Sequence, residues 1–151
     1  MKWMTSDIDL YLQSKEYVDT AIVPLVPISI GQQMKNVVLS GEYVTILSNE
    51  FERQFKGRVF LLPPYTYIKD SLEEEIIRFS AWKEDLHEKG FKYVFFLNGD
   101  DALDKSDHGL GSSLLKVHPV PLEHVESKIK QQIITDEVQA LVPFIIKAWR
   151  N

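Results

Sequence analysis

Three segments of this chain are apolar almost throughout: "TAIVPLVPISIG" at residues 20–31, "RVFLL" at 58–62 and "YVFFL" at 93–97. A half-exposed strand alternates apolar and polar side chains, because successive residues point to opposite faces. Runs that are apolar at every position, rich in β-branched and aromatic residues and bounded by Pro and Gly, belong to strands covered on both faces. The stretches between these runs have helical periodicity instead. Strands alternating with helices imply parallel neighbours, since a parallel pair needs a crossover connection. The expected fold is therefore an α/β three-layer sandwich: a mostly parallel sheet of about four strands with helices on both faces. One domain over residues 1–151 suits the length, which is enough to bury a core without disulfides or metals.

The helical stretches can be placed in outline. A first helix is expected from Asp7 to about Tyr17, capped by Ser6, with Ile8, Leu12 and Tyr11 turned inward. From Gln32 to Lys56, Met34, Val38, Val44, Leu47, Phe51 and Phe55 fall near one face; Ser40-Gly41 predicts a break into two helices, and Gly57 a left-handed cap. In the third helix Ser71 and Glu74 have capping-box spacing, Asp70 and Glu73–Glu75 sit at the positive end of the dipole, and Gly90 ends it. Leu114–Val117 reads as a fourth strand. The remainder from Leu122 is helical, with Thr135 as a second cap. Pro143 costs an interior helix about 3 kcal/mol and predicts a kink or break near Gln139. Pro24 cannot donate to a ladder, so it predicts an edge position or a bulge in the first strand.

Composition narrows the function classes. With no cysteine, disulfides, thiolate nucleophiles and Cys-based zinc sites are excluded. A net charge of −5 without a basic cluster argues against nucleic acid or an anionic membrane as partner. The longest apolar run, Ala140–Ile146, is too short to span a bilayer. "MKWMTSDIDLY" has acids where a signal peptide needs its apolar core, so the cytoplasm is the expected compartment.

In a parallel sheet, ligands bind beyond the carboxyl ends of the strands, where helix N-termini and loop amides converge. That rule selects "PISIGQQ", "PPYTYIKD" and "NGDDALDKSDHGLG", all read as loops. The candidate ligand-binding rim is Ser29, Tyr65, Tyr67, Asn98, Asp100 and Asp101, with the tyrosines as a wall and the acidic residues orienting a ligand or a divalent cation. Four aspartates fall between residues 100 and 107, but their spacing does not match a calcium loop, and a solvated acidic loop explains them. His108 is the one histidine on this rim, and no G-x-S-x-G nucleophile elbow or phosphate-binding glycine motif is present. No catalytic residue, metal or cofactor is assigned. Two readings follow: a non-enzymatic regulatory or protein-interaction domain, or a small-molecule or divalent-cation binder or hydrolase using the rim. Exposed sheet edges leave room for a homodimer or an unidentified protein partner.

Two long stretches, "KWMTSDIDLYLQSKEYVDTAIVPLVPISIG" and "LSNEFERQFKGRVFLLPPYTYIK", resemble the YpiF-like proteins, small uncharacterised proteins of Bacillus-type bacteria. The resemblance is clearest over residues 2–69 and covers most of the chain. It implies a bacterial, soluble, single-domain protein of about this length and brings no activity to any residue.

Overall fold

A computed structural model describes residues 1–151. The elements run α1 (Thr5–Gln13), β1 (Thr20–Ile28), α2 (Met34–Gln54), β2 (Val59–Leu61), β3 (Tyr65–Ile68), α3 (Leu72–Glu88), β4 (Tyr93–Asn98), α4 (Asp101–Lys105), β5 (Leu114–Lys116) and α5 (Ser127–Arg150). All strand pairs are parallel, in the order β2-β1-β4-β5, with β3 on the same edge of β1 as β2. The sheet thus has five strands, and β2 and β3 act as one interrupted strand.

The interruption explains Pro24. Contrary to expectation, Pro24 lies in the central strand, opposite Leu97 of β4. The Leu62 N–H donates to the Ile22 carbonyl at 3.0 Å, so Ile22 directs its backbone toward β2. By alternation Pro24 faces the same way. There β2 has ended at Ile22↔Leu61 and β3 begins only at Leu25↔Tyr65, so Pro63-Pro64 bridges the gap and no ladder bond is lost. "PPYTYIKD" is accordingly not a loop: Tyr65–Ile68 is strand, followed by a 3-10 turn at Lys69–Ser71.

Two cores flank the sheet. On one face α2 and α5 pack Val44, Leu47, Phe51, Val138 and Leu141 against Ile22, Phe95 and Leu115. On the other, Phe79 and Leu86 of α3 and Leu103 of α4 cover Val23, Phe60 and Phe96, with Ile8 and Tyr11 of α1 against them. This is the three-layer arrangement that fully apolar strands require.

Several local expectations are corrected by packing. α2 is one helix, because Gly41 is where it approaches β1; a Cβ there would stand 2.9 Å from Val26 Cγ1. Val37 is buried in it, while Met34 and Val38 are exposed. α2 ends at Gln54 without a left-handed glycine; Gly57 does not have positive φ, whereas Gly90 does, at 110°, after α3. Ser71 makes no capping bond; the Ile68 N–H is taken instead by Glu75, at 2.9 Å. In α1, Ser6 lies inside the helix and Leu12 is exposed. α5 is continuous, with Thr135 inside it and Pro143 on its exposed face, where the Gln139 carbonyl that Pro143 leaves without a donor has access to water. Leu122 and Val125 precede α5 in a turn. No helix is long and apolar enough to cross a membrane.

Candidate functional site

The chain leaving β1 enters α2 on one face of the sheet, and the chain leaving β4 enters α4 on the other. The two connections diverge, so β1 and β4 frame a crevice at their carboxyl ends, the usual ligand position in such sheets. A cleft of about 250 Å³ occupies it. α2 lines one wall with Gln33, Asn36, Val37 and Ser40, an i, i+3, i+4, i+7 stripe; Gly99, Asp100 and Asp101 line the other, and Lys69 reaches in from the end of β3.

Asp100 organises the floor. Its side chain is 1% exposed and pairs with Lys69 Nζ at 3.3 Å. The buried Tyr67 hydroxyl donates to its Oδ2 at 2.6 Å, and the Ala102 N–H donates to its Oδ1 at 3.0 Å, which caps α4. Asn98 clasps the same turn: its Nδ2 donates to the Asp100 carbonyl and its Oδ1 accepts from the Asp100 N–H, both at 2.9 Å. Burial, then the bond to Asp100, pushes the Tyr67 phenol far above its ordinary value. Asp101 is exposed and turned away from Asp100; Lys116 at 3.0 Å holds its carboxyl below the usual range, and Asp101 in turn raises the Lys116 ammonium. The acidic segment is thus not one solvated loop. It holds the short helix α4, and Asp100, Asp101 and Asp104 are directed to two lysines rather than to a common point.

The cleft has no room to spare at Gly99. A Cβ there would come within 2.7 Å of Ser40 Oγ and 2.8 Å of Pro119 Cγ. Ser40 Oγ is buried and has no hydrogen-bond partner in the protein. Burying a hydroxyl without a partner costs about 1–3 kcal/mol, so an atom of this kind points to something that joins it.

Of the six rim candidates, Asp100 and Asp101 line the cleft, and Tyr67 and Asn98 support it from beneath. Ser29 lies past the end of β1 and does not line it. Tyr65 is elsewhere: it packs on Phe79 and Trp82 and borders a separate groove with Trp3 and Pro63-Pro64. His108 is occupied locally, accepting the Leu110 N–H at 3.0 Å. Gln33 and Gly99 fall inside the selected segments without being singled out, and Asn36 and Ser40 were not legible as site residues. An isolated Gly beside Ser inside a helical pattern was the available signal, since such a glycine commonly marks close packing.

Uncharacterized protein YpiF of Bacillus subtilis (strain 168) is 35% identical over 149 residues, which covers 99% of this chain and 98% of that protein. Residues 9–149 match the family described as "Protein of unknown function (DUF2487)". The chain belongs to the DUF2487 family. No solved structure matches it. The matched span takes in both walls of the cleft and both cores, so the likeness extends over the whole chain rather than a local motif.

Proposed function

We propose that the protein is a non-enzymatic regulatory domain that binds a small polar molecule in the cleft between α2 and the β4–α4 turn. One observation carries the reading: the buried Ser40 hydroxyl, unpartnered in the protein, stands in the α2 wall of a polar cleft at the topological switch point. Binding rather than catalysis is favoured by how the ionisable groups are held. Tyr67 is fixed in its neutral form, Asp101 in its charged form, and Asp100 already accepts from a phenol, an ammonium and an amide. A general acid or base needs a pKa near the working pH, and the surroundings of Tyr67 and Asp101 push away from it. The same reading takes the cytoplasm as its compartment, which a chain without cysteine suits.

A second reading, docking of a protein partner or a second copy, is favoured by β3. It is an edge strand, paired only to β1, with Thr66 and Ile68 exposed beside the exposed Ile28. Thermal melts against a panel of small metabolites, neutral, cationic and anionic, separate the two. Stabilisation by at least one compound, lost in Gly99→Val, supports the cleft; melts unchanged across the panel with a concentration-dependent dimer by light scattering support the edge.

A further inference from the structure

The start of α2 is left open on the cleft side. Its N-cap residue, Gln33, makes no side-chain capping bond, and its first turn carries no acid. Met34 and Val37 donate their N–H groups to Gly31 and Gln33, but those of Lys35 and Asn36 find no acceptor in the protein. Three acids occupy the first turn of α3, where the same positive end is answered by side chains. Of Lys35 and Asn36, the latter lines the cleft, so one wall presents a free amide donor and the positive end of a 21-residue helix. A helix start alone makes no site. Here two further groups face the same cleft: the buried, unpartnered Ser40 hydroxyl one turn further along the stripe, and the Lys69 ammonium, 35% exposed and engaged by Asp100 at 3.3 Å on one side only.

The acids of the cleft do not cancel this. Asp100 is enclosed and answered by Lys69, Tyr67 and the Ala102 amide, and Asp101 is answered by Lys116. What remains unanswered in the cleft consists of donors: the Asn36 amide, a hydroxyl and the spare N–H groups of an ammonium. We propose that the cleft takes a compact oxyanion, the phosphate or carboxylate of a small metabolite, held by the first turn of α2, Ser40 and Lys69. The inference rests on the ligand-binding reading above and names its ligand class. Charge-assisted bonds of this kind are worth about 1.5–3 kcal/mol each, so losing one weakens binding about tenfold or more.

Titration calorimetry and thermal melts with potassium phosphate and with sodium succinate, each against KCl matched in ionic strength, test it. Either anion stabilises the wild type above its salt control, and the response shows whether phosphate or carboxylate is preferred. Ser40→Ala and Lys69→Gln each weaken that binding about tenfold or more. Ser40→Ala loses no bond within the protein, so it folds even if Lys69→Gln, which strips Asp100 of its cation, does not. Melts identical to the KCl controls overturn the oxyanion assignment. If neutral or cationic compounds of the panel still stabilise the protein and Gly99→Val abolishes this, the cleft stands without it. Anion binding that Ser40→Ala leaves unchanged overturns the placement in this cleft.

Discussion

The two ends of the sheet solve the same problem differently. At the amino ends of the strands every strong polar group near the core is answered. Arg58 forms a two-bond pair with Asp19, at 3.0 and 3.2 Å, and lies 4.0 Å over the ring of Trp149. Trp149 donates from Nε1 to Thr20 Oγ1 at 2.8 Å and packs edge-on to Phe55. At the carboxyl ends an equally tight network, centred on Asp100, stops short of completion: Ser40 and the first amides of α2 are left over. The contrast teaches where the molecule is built for stability alone and where polar capacity has been kept free. Substitutions at the closed end should change stability only. Substitutions at the open end should divide into those that unfold and those that only empty the cleft.

The largest effect is expected from Asp100→Ala, which leaves the Tyr67 hydroxyl buried and Lys69 without its carboxylate. Urea denaturation should show a loss of about 3 kcal/mol or more. At the opposite end Trp149→Ala removes an edge-packed ring and its bond to Thr20, costing about 3 kcal/mol while any ligand-induced rise in Tm persists. A loss of ligand response there would erase the distinction between the two ends. Gly99→Ala should cost about 1–3 kcal/mol, because its methyl group meets Ser40 and Pro119, and should lower binding together with stability. Ser40→Ala sharpens the comparison most: stability within about 0.5 kcal/mol of wild type, or slightly higher given the helix propensity of Ala, with binding weakened about tenfold or more.

The smallest effect is electrostatic and belongs to the far half of α2. Hydrogen bonds from Arg53 hold the Glu50 carboxyl down to about 2, against an ordinary value of 4.5. A lowered carboxyl contributes stability that is present above its unfolded pKa and lost as pH falls through the folded one. Stability should therefore decline between about pH 4.5 and 2, and Glu50→Gln should flatten that decline. Arg53 is largely exposed, so the amplitude stays below about 1 kcal/mol.

Much of this layout was legible in the chain itself. The three apolar runs became β1, β2 and β4, and their lack of alternation correctly required helices on both faces. Tertiary packing decided what local pattern did not. Tyr65–Ile68 reads as a loop after two prolines, yet β1 offers it a free edge. Ser40-Gly41 and Pro143 read as helix breaks, yet close approach to Val26 uses the glycine, and an exposed face tolerates the proline. At the site, Asp100 and Asp101 were singled out together as neighbours in sequence. Only the fold separates them, one buried as the keystone of a network and the other on the rim facing Lys116. Ser40 carries no sequence motif. Its meaning comes from facing Gly99, 59 residues away in the chain, across a crevice that only the sheet order creates.

The most direct measurement is an amide chemical-shift map of the 15N-labelled protein titrated with phosphate and succinate against matched salt. A ligand between α2 and the β4–α4 turn moves the resonances of Asn36, Val37, Ser40, Gly99 and Asp100 together and saturably. Perturbations confined to the groove of Trp3, Tyr65 and Trp82, or none beyond the salt control, would contradict an anion site at the switch point.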